Sequence, residues 1–227
     1  VDGDGCLTAP PMERRLPMEM QWPLLHPRQK LFGGMLSEAL LRSAAEYNLL
    51  PIDYFKREEF VLRNAYITAE GALELTMREL HQTVRGLQCA VLGYGRIGKF
   101  LARLLCAMGA RVTVAARKGK DLVQAQLDGC AACPLDRVEE CLPPCDVVYN
   151  TIPHLVLDRA RLACLPERCL CMDLASKPGG VDFGAAEALG IKTLWALGLP
   201  GKMAPESAGA AILDTVLQIL AEQEVPA

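Results

Sequence analysis

Residues 91–117 read VLGYGRIGKFLARLLCAMGARVTVAAR, and this stretch decides the fold. A short apolar run, 89–92, leads into Gly93-Tyr94-Gly95-Arg96-Ile97-Gly98, a G-x-G-x-x-G spacing. Ile97, Phe100, Leu101, Leu104, Leu105 and Met108 then recur at helical spacing until Gly109, a residue suited to ending a helix. A second apolar run, 111–116, follows. Strand, loop, helix and strand form a β-α-β unit of about 30 residues, the context in which this glycine spacing binds a dinucleotide. Gly93 permits the tight turn, Gly95 lets backbone approach a pyrophosphate, and Gly98 lets helix and strand pack closely. The helix N-terminus supplies N–H groups and the positive end of its dipole to the phosphates.

The end of the second strand sets the cofactor. Chains that bind NAD usually carry an acid about 20 residues beyond the loop, on the ribose hydroxyls. Here Ala115-Ala116-Arg117-Lys118-Gly119-Lys120 offers none before Asp121. A carboxylate would repel a 2′-phosphate, whereas Arg117 can fork onto it and stack on adenine, with Lys118 beside it. NADP is the expected cofactor. The cofactor-binding set is Gly93, Tyr94, Gly95, Arg96, Ile97, Gly98, Arg117, Lys118, Thr151 and Pro153.

Working outward, the apolar runs 131–135, 146–150, 169–174 and 191–196 alternate with mostly helical segments. Near-continuous apolar strands joined by helices predict a doubly wound parallel sheet covered on both faces, an α/β Rossmann domain. Upstream, Thr68 can cap a helix running to Leu80, and Pro205 can open a last helix in which Ala208, Gly209 and Ala211 allow close packing. The first 66 residues are irregular. Pro10, Pro11, Pro17, Pro23 and Pro27 forbid a long helix there. Helices are expected at 34–47 and 57–63, with a buried strand at 49–55. This part reads as a partial N-terminal α/β domain. The opening Val1-Asp2-Gly3-Asp4-Gly5 lacks a methionine and reads as the interior of a longer protein.

Of the 227 residues 51% are apolar and the formal net charge is −3, which gives no basic stripe for nucleic acid or a membrane surface. No apolar run is long enough to span a bilayer and no signal peptide opens the chain, so a cytoplasmic location is expected. The 10 cysteines include the pairs Cys130/Cys133, Cys141/Cys145 and Cys169/Cys171. One C-x-x-C without a second well-spaced pair does not make a zinc site, and no metal is expected; the thiols read as small apolar core residues.

In a doubly wound sheet the ligand lies beyond the carboxyl ends of the strands. Asn150-Thr151-Ile152-Pro153-His154 ends the fourth strand. Asp173-Leu174-Ala175-Ser176-Lys177-Pro178-Gly179-Gly180 ends the fifth, and Gly198-Leu199-Pro200-Gly201-Lys202 the sixth. Gly179 and Gly180 would bring bare backbone to a ligand. Asn150 and Ser176 offer neutral hydrogen bonds, and Lys177, Lys202 and His154 could bind carboxylates or move protons. Asp173 could simply cap the turn, and His154 could be an exposed loop residue.

On these segments the chain resembles the A-subunit family of dipicolinate synthase. VLGYGRIGKFLARLLCAMGARVTVAAR, NTIP, DLASKPGGVDF and GLPGKMAPESAG match it in order and spacing, over roughly residues 60 to 222. Asn64 with Thr68-Ala69-Glu70-Gly71 resembles that family's approach to an interdomain helix. The resemblance implies a substrate-side domain at 1–66, an interdomain helix at 67–83, the NADP-binding Rossmann domain at 84–204 and a C-terminal helix at 205–227 packing back on the domains. It implies NADP-dependent oxidation of dihydrodipicolinate, or its hydrated precursor, to dipicolinate in spore-forming bacteria. The partner implied is the B subunit of dipicolinate synthase, a flavoprotein-like chain. Catalytic positions would be Asn150, Thr151, Ser176 and Lys177, the first three lining the nicotinamide. Gly179, Gly180 and Lys202 would hold a small dicarboxylate. The oligomeric state stays open, a homodimer included. Two other readings stay open as well. One is a shikimate-dehydrogenase-like NADP reductase, against which stands the lack of an upstream N-V-T-x-P-x-K. The other is a non-catalytic NADP-binding scaffold, which the lack of an obvious acid–base pair allows. A 2-hydroxyacid or alanine dehydrogenase fits less well, since an acid would usually follow the second strand.

Overall fold

The computed structural model describes residues 6–7 and 16–224. The expectations for Val1–Gly5, Pro10 and Pro11 lie outside the described residues. Two compact units emerge, one of residues up to Arg63 together with those from Gly209 onward, the other Asn64–Ala208.

In the first unit β1 (Cys6–Leu7) and β2 (Leu16–Pro17) pair antiparallel, and β3 (Phe32–Gly33) pairs in parallel with β4 (Ile52–Asp53). Pro17 precedes one single-turn 3-10 helix and Pro23 stands in the first turn of another. Helix α1 (Glu38–Ala45) is shorter than the expected 34–47, because Ser37 accepts the Leu40 N–H and fixes the start. The expected strand 49–55 is reduced to two residues. Asp53 ends it by accepting from the N–H groups of Met35, Leu36 and Phe55. Trp22, Leu40, Ala44 and Leu49 form a small core, and the Trp22 indole N–H donates to Ser43 at 3.0 Å.

Helix α2 (Glu58–Leu80) merges the two expected helices. Thr68 is no cap: its hydroxyl donates to the Asn64 carbonyl one turn back, at 2.7 Å, as a mid-helix threonine does.

The second unit is built on β5 (Gln88–Leu92), α3 (Arg96–Ala107), β6 (Arg111–Ala116), α4 (Gly119–Leu127), β7 (Ala131–Pro134), β8 (Val147–Asn150), α5 (Arg159–Leu162), β9 (Leu170–Asp173), α6 (Phe183–Ala188), β10 (Lys192–Trp195) and α7 (Leu199–Met203). Helix α8 (Pro205–Glu224) ends the described chain, with Pro205 at its first position. Gly209, expected to pack closely, is exposed, and a Cβ there would meet no other element within 4 Å.

The six strands form one parallel sheet in the order β10-β9-β8-β5-β6-β7. The order reverses between β5 and β8, the place where such sheets open a crevice at the strand ends. Alternation along each strand feeds two cores. Val91, Val114, Tyr149 and Met172 enter one, and Leu92, Ala115, Val148 and Cys171 the other. Each fully buried aliphatic side chain contributes about 1.5–3 kcal/mol. Cys89, Cys130, Cys133, Cys145, Cys169 and Cys171 are buried free thiols, and burial pushes Cys171 up to about 12. Among the described residues no three His, Cys, Asp or Glu side chains gather where a metal could bind. No helix among them is long and apolar enough to cross a membrane.

Tyr149 carries a hydroxyl into the apolar interior, where it meets Thr76 at 2.7 Å, and both residues are fully buried. Tyr149→Phe should lower stability by about 1 kcal/mol in a urea titration, since Thr76 keeps its second bond to the Ala72 carbonyl.

Candidate functional site

The glycine loop leaves β5 with Gly93 at φ +94°, its N–H donating to the Ala115 carbonyl at 2.8 Å. A Cβ on Gly98 would lie 2.2 Å from the Gly93 carbonyl oxygen, so any larger residue would push α3 off the strand end. A Cβ on Gly95 would meet nothing within 4 Å; it would project into the cleft instead. Helix α3 starts here and turns its positive dipole end to that space.

Tyr94 anchors the loop from below. Its ring is buried with the Lys99 ammonium 5.7 Å from its centre, and its hydroxyl donates to Asp128 at 2.5 Å. Asp128 also accepts from Arg103 and Gln124. The Tyr94 bond, more than any other, holds its carboxyl below the usual range, while burial raises the tyrosine. On the far side Thr151 donates to the Leu92 carbonyl at 2.8 Å and stands where a Gly93 side chain would be.

A cleft of about 360 Å³ results, lined by Gly93, Tyr94, Gly95, Ala116, Arg117, Lys118, Lys120, Asp121, Thr151, Ile152 and Pro153. Seven of the ten residues expected to bind cofactor therefore share one space. The other three do not line it: Ile97 packs on the core, Gly98 supports Gly93, and Arg96 is exposed at the helix start. Lys120 and Asp121, in the first turn of α4, are cleft residues that the motif alone does not single out, although they follow Arg117 closely. A second cleft of about 460 Å³ shares Arg117 and Ile152 with the first. The empty space beside Gly95, the helix end and the cations together fit a dinucleotide.

The loops after β8 and β9 are tied by a buried polar knot. Asn150 and Asp173 sit side by side in register and are both 0% exposed. The Asn150 amide donates to Asp173 at 2.8 Å and to the Ile152 carbonyl at 2.9 Å, and accepts from the Ile152 N–H at 3.1 Å. Asp173 also accepts from the N–H groups of Ala175 at 3.1 Å and Gly180 at 2.7 Å. The Gly180 carbonyl accepts from Val156 and Leu157. A Cβ on Gly180 would stand 2.4 Å from the Asn150 amide nitrogen and 2.6 Å from the Ile152 carbonyl.

Several residues expected at the reacting face are placed differently. The polar atoms of Asn150 are bonded within the fold, so it orients loops and offers nothing to a ligand. Gly179 and Gly180 are buried, and their N–H groups already donate to Ser176 and Asp173. Asp173 does more than cap a turn. Ser176 and Lys177 are exposed at the loop tip, and His154 is exposed on the larger cleft. Lys202 lines a separate groove of about 200 Å³ with Trp195, Leu197 and Arg78, sharing no residue with the two clefts. Trp195 in turn donates its indole N–H to the Ala175 carbonyl.

Residues 61–167 match the family described as D-isomer specific 2-hydroxyacid dehydrogenase, NAD binding domain. The A subunit of dipicolinate synthase from Bacillus subtilis (strain 168) is 36% identical over 192 residues, 85% of this chain and 65% of that protein. This chain thus spans slightly less than two thirds of that relative's length. The crystal structure of the A subunit of dipicolinate synthase from Bacillus halodurans is similar at a TM-score of 0.89 with 32% identity, over 97% of this chain and 76% of that one. That of the Bacillus subtilis A chain gives 0.87 and 32%, over 97% and 74%. A Rossmann domain of dehydrogenase type, suited to a nicotinamide cofactor, is the common ground.

Asp173→Ala would strand three buried donors. It should cost about 3 kcal/mol or more in chemical denaturation and open the 174–180 loop to limited proteolysis.

Proposed function

The chain belongs to the A-subunit family of dipicolinate synthase, and we propose that it is an NADP-dependent oxidoreductase converting dihydrodipicolinate, or its hydrated precursor, to dipicolinate. One observation carries the cofactor: Arg117, Lys118 and Lys120 line the same cleft as the glycine loop, against the single carboxylate of Asp121. Three cations at the start of α4 suit a 2′-phosphate, where the fork of Arg117 can form two charge-assisted bonds. The Gly93–Gly98 turn takes the pyrophosphate, and Thr151 and Pro153 border the cleft on the side of the switch point.

Bound NADP supplies the hydride acceptor. Dihydrodipicolinate gives up a hydride from a ring carbon and a proton to a base, and its hydrated precursor loses water as well; the ring becomes aromatic, so the step is downhill and the protein's main role is positioning. The exposed Ser176–Lys177 tip serves that role. Lys177 pairs with a substrate carboxylate, Ser176 donates a neutral hydrogen bond, and Thr151 borders the nicotinamide. Asn150, Asp173 and Gly180 act as positioning residues beneath the tip. Lys202, in its own groove, takes no part in this step. Residues 1–66 are read as part of a substrate-side domain, and the working partner is a second, flavoprotein-like subunit.

Calorimetric titration with NADPH and NADH tests this reading. Wild type should prefer NADPH, and Arg117→Ala should weaken NADPH by roughly 10–100-fold while leaving NADH little changed. Equal binding of the two nucleotides by wild type would remove the NADP assignment, and binding of neither would remove the enzyme assignment for this chain alone.

A further inference from the structure

Two cysteines of the Rossmann unit meet across different elements. Cys106 lies in the last turn of α3 and Cys130 at the entry to β7, 24 residues along the chain, and their sulfurs are 3.6 Å apart. Both are free thiols, Cys130 buried and Cys106 partly exposed. Other thiols are engaged differently: Cys141, Cys145 and Cys164 each donate to a backbone carbonyl one turn back in their own segment. The frame around the pair is uneven. On one side α3 is fixed, with Leu101 and Leu105 fully buried in the core. On the other the chain turns through Gly129 at φ +86°, where an added Cβ would meet nothing within 4 Å. Arg103, one turn before Cys106, already pairs with Asp128, two residues before Cys130. A disulfide bond is about 2 Å long, so the sulfurs must approach by about 1.5 Å, which side-chain rotation and a small shift of a glycine turn can supply.

We propose that Cys106 and Cys130 form a reversible disulfide, a modification site that staples α3 to the turn beneath the glycine loop. The step is thiol–disulfide exchange with a small disulfide, RSSR. Cys106, as thiolate, attacks one sulfur of the reagent, breaks its S–S bond and releases the first RS⁻. Cys130, having lost its proton to solvent, then attacks the Cys106 sulfur of the mixed disulfide and releases the second. The two protein thiols are oxidised and the reagent is reduced to two thiols. The order of attack follows from access. Burial, and after it the neighbouring Cys106 thiol, pushes Cys130 up to about 12, which leaves it the slower nucleophile behind the more exposed Cys106. The staple bears on the glycine loop because Asp128, in the turn that it fixes, accepts the Tyr94 hydroxyl. It is independent of which nucleotide the loop holds.

The full chain is reduced, freed of reductant and incubated with hydroxyethyl disulfide, in buffer and in urea, then alkylated, digested and mapped by mass spectrometry. In buffer a peptide pair linked through Cys106 and Cys130 should dominate. It should revert with dithiothreitol and be absent from Cys106→Ser and Cys130→Ala. In urea, where the 10 cysteines pair by chance, its share should fall severalfold. Oxidised wild type should melt about 5 °C above the reduced form, and Cys106→Ser given the same treatment should not shift. The proposal is overturned by an absence of any disulfide, by Cys106 held as a stable mixed disulfide, or by bonds confined to other pairs such as Cys133 with Cys141. An equal share of the Cys106–Cys130 link in urea and in buffer would show that the fold does not direct it. A link that forms without raising the melting midpoint overturns the stapling role.

Discussion

The loops that follow β8 and β9 hang on two polar side chains that have no contact with water. Asn150 and Asp173 end neighbouring strands, opposite each other in register, in positions whose predecessors Val148 and Cys171 belong to the apolar core. A buried carboxylate is costly unless its lone pairs are filled, and here an amide and two backbone N–H groups fill them. The expense is repaid in geometry. One loop leaves Asn150 with its path set by Ile152, the other leaves Asp173 and comes back to it at Gly180, and only glycine fits at the return. The two sides of the crevice are thereby held as one piece, while Ser176 and Lys177 stay exposed at the tip.

The glycine loop works by the same logic with different materials. Gly98 lets the helix touch the Gly93 carbonyl, Thr151 clips the loop to the Leu92 carbonyl, and Tyr94 ties it to Asp128 at the end of α4. Such fixed N–H groups and helix ends need no reorganisation when a phosphate arrives. The cations that surround the cleft come from one short segment, 117–120, so the charge of the site is set by a few residues after a single strand.

The sheet was legible because its strands are buried on both faces and read as unbroken apolar runs; each observed strand lies within a residue or so of the expected bounds. The glycine loop was legible because its spacing follows a strand and opens a helix. Elsewhere local signals were overruled. Short elements such as Ile52–Asp53 depend on hydrogen bonds from distant residues, and Thr68 looked like a cap only because nothing local shows that the helix has already begun. The functions expected of Asn150, Gly179 and Gly180 rested on residue type. What the sequence could not show is that the Asn150 amide and the N–H groups of the two glycines are bonded within the fold. Lys202 was grouped with the site because it follows the sixth strand, yet the chain turns it into another groove. Lys120 carries a weaker signal, a charged residue a few positions past a strand end, which gains meaning only once the cleft is seen.

Hydrogen–deuterium exchange on the full chain, with and without NADPH, tests the central claim most directly. Nucleotide should protect residues 93–98, 117–121 and 151–154 together, with 174–180 following because the Asn150–Asp173 knot joins the two loops. Protection confined to another part of the chain, or none at a saturating nucleotide concentration, would contradict the account.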